Sequence, residues 1–186
     1  MDKELIKGLI AEYQQFVKGV SFVKRAVTLS DNFNYVFVGL RRVGKSYLMY
    51  QQIHHLIETG ISPEEILFFN FEDERIAGMD TEHFDMIKRC YEEMYSHRPI
   101  FFLDEIQIVP HWEQFVRRLA DQKYRVYVTG SNAKMLSKDI ATTLGGRFMI
   151  QYVYRFSFRE YLSSSGVQLD KLWIYKNRSE VVRHFD

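Results

Sequence analysis

Gly39-Leu40-Arg41-Arg42-Val43-Gly44-Lys45-Ser46 fits the pattern G-x-x-x-x-G-K-[ST]. A loop of this kind turns its backbone N–H groups inward and cradles phosphate oxygens. Gly39 and Gly44 supply backbone freedom where other residues would meet strain. Lys45 can reach the β- and γ-phosphates as a point charge, and the Ser46 hydroxyl can bind Mg²⁺. The N-terminus of the helix that follows adds its own pull on negative charge. The residues from the first glycine through the start of that helix are therefore candidates for nucleotide contact: Gly39, Leu40, Arg41, Arg42, Val43, Gly44, Lys45, Ser46 and Tyr47.

The pattern needs a strand before it and a helix after it. Asn34-Tyr-Val-Phe-Val before Gly39 is a short, apolar, β-rich run. Beyond Lys45, the residues Met49, Ile53, Leu56 and Ile57 recur at helical spacing, and Gly60 stands where that helix should stop.

Further strands follow at 66–71, 100–104, 125–129 and 147–154, separated by helical patterns or turn signals. An amphipathic helix precedes them all, with Leu5, Ile6, Leu9, Ile10, Tyr13, Phe16 and Val17 on one face and Gly19 as its expected end. Ser62-Pro-Glu-Glu65 reads as a single capped turn. Thr81 is the expected cap of a helix running to about Ser96, Pro110 opens another, and Met135 to Leu144 suits a short one. Strands alternating with helices predict an α/β fold, a parallel five-stranded sheet flanked by helices, with ligand at the carboxyl ends of the strands. Gly39, Asn70, Asp104 and Ser131 fall at such ends.

Ile100-Phe-Phe-Leu-Asp104-Glu105 is an apolar strand that ends in two carboxylates. Asp104 would hold Mg²⁺ opposite Ser46, and Glu105 would orient the attacking water or take its proton. Ser131 or Asn132 could touch the γ-phosphate or the water, or simply cap the next helix. Asn70 could hold Glu105 away from water, or merely form a turn. Arg147, after Gly145-Gly146, could stabilise transferred charge in its own site or a neighbour's, or lie on the surface.

Composition narrows the classes further. The chain has 186 residues, 46% hydrophobic and 16% aromatic, enough for one α/β domain with a substantial core. A net charge of +1 does not point to nucleic acid, which stays open as a partner. The single cysteine, Cys90, excludes an internal disulfide, and the histidines show no metal-ligand spacing. No apolar run approaches the length of a membrane span, and the N-terminus does not read as a signal peptide, so no membrane partner is expected and a cytoplasmic location is the default.

The motifs together resemble a known family. Gly-Leu-Arg-Arg-Val-Gly-Lys-Ser at 39–46, Leu-Asp-Glu-Ile-Gln at 103–107 followed by Trp112-Glu113, Thr-Gly-Ser-Asn at 129–132, Leu-Gly-Gly-Arg at 144–147 and Phe-Ser-Phe-Arg-Glu-Tyr at 156–161 occur in order. They resemble the predicted AAA+-type ATPases of bacteria and archaea over roughly residues 20 to 165. The chain differs at Arg155, where proline is usual in the family. The resemblance implies a P-loop NTPase of the ASCE class with an AAA+-like αβα core, in which the P-loop strand lies between the fourth and fifth strands. It also implies ATP rather than GTP, ATP and Mg²⁺ as ligands, and hydrolysis coupled to motion of a C-terminal part beyond this chain. On this reading residues 1–33 are an N-terminal helix and lead-in, 34–160 the ATPase core, and 161–186 a linker and the start of a lid that is largely missing. Self-association through the ATPase domain is open. Two further classes remain: a nucleotide-gated switch with slow turnover, and a DNA-associated motor. A small-molecule kinase is disfavoured, because the acid beside the metal-binding Asp104 suits water as nucleophile.

Overall fold

The computed structural model describes residues 2–130, 135 and 142–165. Ser131, Asn132, most of the expected helix between Met135 and Leu144, and residues 166–186, where the lid was expected to continue, lie outside the described residues. Five parallel strands form one sheet: β1 (Asn34–Val38), β2 (Ile66–Asn70), β3 (Ile100–Asp104), β4 (Val126–Gly130) and β5 (Phe148–Tyr152), in the order β2-β3-β4-β1-β5. The P-loop strand β1 thus lies between the fourth and fifth strands, as the resemblance implied. The helices whose bounds lie among the described residues are α1 (Lys3–Gly19), α2 (Lys45–Glu58), α3 (Glu82–Met94), α4 (Trp112–Asp121) and α5 (Phe158–Ser164). No helix among the described residues is long and apolar enough to cross a membrane.

The central strands are buried on both faces, which is why they read as continuous apolar runs rather than alternating ones. Aromatic rings knit neighbouring strands together. Tyr127 of β4 stacks on Phe102 of β3 at 4.5 Å and on Tyr35 of β1 at 5.9 Å, with the ring planes nearly parallel in both pairs. These residues are also register partners across the sheet. Each such pair adds about 1 kcal/mol beyond its burial. Along β3 and β4 the same face turns polar two residues further on, at Asp104 and Thr129, because side chains alternate with period two.

Local signals account for most helix ends, with three corrections. Helix α1 ends at Gly19 as expected, and the chain leaves through an extended Val20. Phe16, expected on the buried face, is half exposed. Thr81 makes no side-chain cap; the carboxylate of Asp80 accepts the Glu82 N–H at 3.0 Å in its place. Helix α4 begins at Trp112 rather than at Pro110, after a 3-10 turn over Ile106–Ile108. Ser62 forms the expected capping box with Glu65, and Gly60, at φ 104°, follows the end of α2. Helix α1 also covers the β2 edge: buried Gln14 donates to the Ile66 carbonyl at 2.8 Å and accepts from Tyr95 Oη at 2.6 Å.

The phosphate loop is fixed at its start by a close approach. The Val153 N–H donates to the Val38 carbonyl at 2.8 Å, which draws the end of β5 across Gly39. A methyl group on Gly39 would overlap the Val153 carbonyl oxygen and crowd Val43. Gly39→Ala is therefore expected to destabilise the fold by about 1–3 kcal/mol, the usual cost of overpacking a tight contact. Denaturant unfolding measures it, and an unchanged midpoint would show that the loop and β5 are not in contact.

Candidate functional site

The carboxyl ends of β1, β3 and β4 converge on one cluster. Gly44, at φ 91°, adopts the left-handed conformation that turns the loop into α2. This places Lys45 and Ser46 in the first turn of that helix. The Ser46 hydroxyl donates to Asp104 Oδ1 at 3.1 Å. The Thr129 hydroxyl donates to the same oxygen and accepts the Glu105 backbone N–H at 2.8 Å. Thr129 is wholly buried and ties the end of β4 to both acids of β3. Sequence reading passed over it because it looks like one more strand residue.

Asp104 is 4% exposed. Burial pushes its carboxyl up to about 6, against the pull of the hydrogen bonds from Thr129 and Ser46. Glu105 follows at φ 51°, a left-handed backbone for a non-glycine residue. Such strain persists where the surroundings over-determine it, and it concentrates at functional sites. Lys45, also buried, lies 3.3 Å from Glu105 Oε1 and donates to the Leu40 carbonyl at 3.2 Å. The other Glu105 oxygen accepts from Gln107 Nε2 at 2.5 Å.

Asn70 does not hold Glu105 in this way. Its side-chain oxygen accepts the Glu72 N–H at 3.0 Å, the turn-forming role. Lys45 and Gln107 both hold Glu105. Arg147 is not brought to the site either. It precedes β5, at the amino end of the sheet, and its Nε meets Asp121 at 2.5 Å. A strand of five residues separates the two ends of the sheet by about 15 Å, so Arg147 stands far from its own chain's phosphate loop. Ser131 and Asn132 have no described position. Within the loop, Arg41 pairs with Glu72 at 3.2 Å, Arg42 takes a left-handed turn, and Leu40 and Tyr47 are largely exposed.

One arginine that drew no notice in the sequence, Arg25, binds three parts of the chain together. It is 8% exposed. Its Nη1 donates to the Val43 carbonyl of the P-loop at 3.1 Å, its Nη2 to the Tyr154 carbonyl at 2.8 Å, and its Nε to Glu160 at 2.8 Å. Its guanidinium lies over the Phe156 ring at 4.8 Å. Burial works to raise the Glu160 carboxyl, but donors from Ser157 and Arg25 outweigh it and hold it at about 2. Around this hub opens a cleft of about 1450 Å³, lined by Phe22 and Arg25 of the lead-in, the P-loop, Glu72, Glu105 and Phe156. It is more than large enough for a nucleotide.

The donors suit Mg²⁺. Ser46 and Asp104 offer two hard oxygens on one side, which leaves the remaining positions to water and phosphate, the usual habit of this ion. Among the described residues no cluster of three or more His, Cys, Asp or Glu could form an all-protein metal cage.

A family model described as an AAA domain matches residues 31–162. An uncharacterized protein of Methanocaldococcus jannaschii is 29% identical over 186 residues, 99% of this chain and 41% of its own length. An uncharacterized protein of Haemophilus influenzae is 31% identical over 167 residues, 88% of this chain and 42% of its own length. The chain thus spans about two fifths of the length of these relatives.

The raised Asp104 value has a consequence for stability. Its folded-state pKa lies above that of an unfolded aspartate, so its contribution to stability is full at low pH and is lost as pH rises through about 6. Asp104→Asn keeps an acceptor for Thr129 and removes the buried charge. Without divalent metal, it should melt a few degrees above the wild type at about pH 7.5, and the gain should vanish near about pH 4, where aspartate is itself neutral. Thermal melts in EDTA check this, and an Asn variant less stable at both pH values would contradict the burial penalty.

Proposed function

The chain belongs to the AAA domain family, and from that premise we propose that it is a Mg²⁺-dependent ATPase domain whose hydrolysis is coupled to motion in the rest of a longer protein. The observation that carries this reading is the 3.1 Å contact between Ser46 and Asp104, the two side chains that would flank the ion, with Lys45 and Glu105 beside them.

Each residue then has a part. The P-loop N–H groups and Lys45 bind the phosphates. Lys45 is within reach of Glu105 and of the loop's own Leu40 carbonyl, and it exchanges these for phosphate when nucleotide binds. Ser46 and Asp104 would hold Mg²⁺, which would neutralise charge on the phosphate oxygens. Glu105 orients water for attack on the γ-phosphate and takes up its proton, while the bond from the γ-phosphorus to the β–γ bridging oxygen breaks and ADP leaves. The Phe22 and Phe156 side of the cleft accepts the base. Arg147, stationed at the far end of the sheet, is suited to act only on a neighbouring subunit.

The same geometry supports a second reading, a nucleotide-gated switch with slow turnover. Both Glu105 oxygens have partners, and a base so held is poorly placed to activate water. Turnover by dilute, monomeric chain should therefore be slow and should rise with concentration or with the full-length protein.

Metal and base can be separated by mutation. Asp104→Asn should lose the Mg²⁺-dependent part of ATP affinity. Glu105→Gln should keep that affinity and lose turnover by about a hundredfold or more, the scale of a positioned general base. Phosphate release and equilibrium binding, measured together, make the distinction, and equal loss of binding in both variants would show that the roles are misassigned.

A further inference from the structure

Gln107 lies two residues beyond Glu105, in the turn that carries the chain away from β3. That turn is firmly set. The Ile108 N–H donates to the Glu105 carbonyl at 3.2 Å, the Val109 N–H donates to the Ile106 carbonyl at 3.1 Å, and the Ile106 side chain is fully buried. The left-handed backbone of Glu105 bends the chain so that the Gln107 side chain returns along the acid it follows. Its Nε2 donates to Glu105 Oε2 at 2.5 Å. Its carboxamide oxygen rests against the end of β4, where a methyl group on Gly130 would meet it at 2.7 Å. Gln107 is thus wedged between the acid and the strand that also carries Thr129.

The two Glu105 oxygens have different partners. Oε1 faces Lys45, a cation that phosphate would draw away. Oε2 faces Gln107, a neutral amide that phosphate has no reason to displace. We propose that Gln107 is a positioning residue for Glu105: it anchors one carboxylate oxygen and so fixes the direction in which the acid meets the attacking water. This inference rests on the ATPase reading above. The physical gain is orientation. A glutamate side chain has several rotatable bonds, and a base held in place before reaction avoids the cost of finding its position during it.

The test is single-turnover hydrolysis of ATP alongside equilibrium binding, for wild type, Gln107→Leu, Glu105→Gln and the double variant. Gln107→Leu should slow hydrolysis by about tenfold or more while nucleotide affinity stays within about twofold, a loss confined to the chemical step. In the Glu105→Gln background the same substitution should cost nothing further, because Gln107 acts only through that acid. Should Gln107→Leu not fold, Gln107→Glu keeps the size and removes the donor, and it should show the same loss. A Gln107→Leu variant that turns over as fast as an active wild type, or faster, overturns this inference alone. Equal slowing in both backgrounds also overturns it, since that marks a structural role. A wild-type chain that binds ATP without ever hydrolysing it overturns the ATPase reading and this inference together.

Discussion

A carboxylate at the buried end of β3 is the constraint on which the rest of the site depends. Asp104 is costly to ionise where it stands, and the chain meets that cost with hydroxyl donors from two directions, Thr129 on β4 and Ser46 on α2. Each donor fixes the element that carries it. The Ser46 contact sets how the P-loop helix sits over the sheet, and the Thr129 contact aligns the ends of β3 and β4 while accepting the Glu105 N–H. The aromatic stack of Phe102, Tyr127 and Tyr35 keeps these strand ends in register from below. A buried acid that is costly to ionise is a common mark of a site kept for function rather than for stability.

Arg25 extends that order to the outer parts of the chain. Its donors reach the P-loop at Val43, the chain leaving β5 at Tyr154, and Glu160 in α5. The Arg25 backbone is held in turn on α2, where Gln51 accepts its N–H at 2.6 Å and donates to its carbonyl at 3.1 Å. Loop, lead-in and α5 are therefore joined through one buried side chain. The Val43 carbonyl and α5 are thus linked by two hydrogen bonds on one guanidinium.

Much of this was legible in the sequence because it depends on local patterns. The strand, loop and helix around Gly39, the apolar run ending at Asp104, and the strand order all follow from motifs whose physics is short-range or from the family those motifs resemble. What escaped reading is long-range. Arg25 lies in a stretch without periodicity, and its partner Glu160 is 135 positions away. Asn70 and Gln107 were both amides near the acids, and only the turn after β3 shows that Gln107 reaches Glu105 while Asn70 closes its own turn. Arg147 teaches a different lesson. A residue that begins a parallel strand must lie at the amino edge of the sheet, so its distance from the loop could have been inferred from strand polarity. The cleft wall formed by Phe22 and Phe156 joins distant segments, so the motif that begins at Phe156 gave no sign that the ring faces the loop.

The central claim is that Lys45, Ser46 and Asp104 form a Mg²⁺–nucleotide site. Titration calorimetry of the chain with a non-hydrolysable ATP analogue, with and without Mg²⁺, tests it most directly when wild type and Lys45→Ala are compared. The account predicts saturable, Mg²⁺-strengthened binding at one site in the wild type and a loss of at least about tenfold in affinity in the variant, since a charge-assisted contact to phosphate disappears. Equal affinity in the two proteins, or binding indifferent to Mg²⁺, would contradict it.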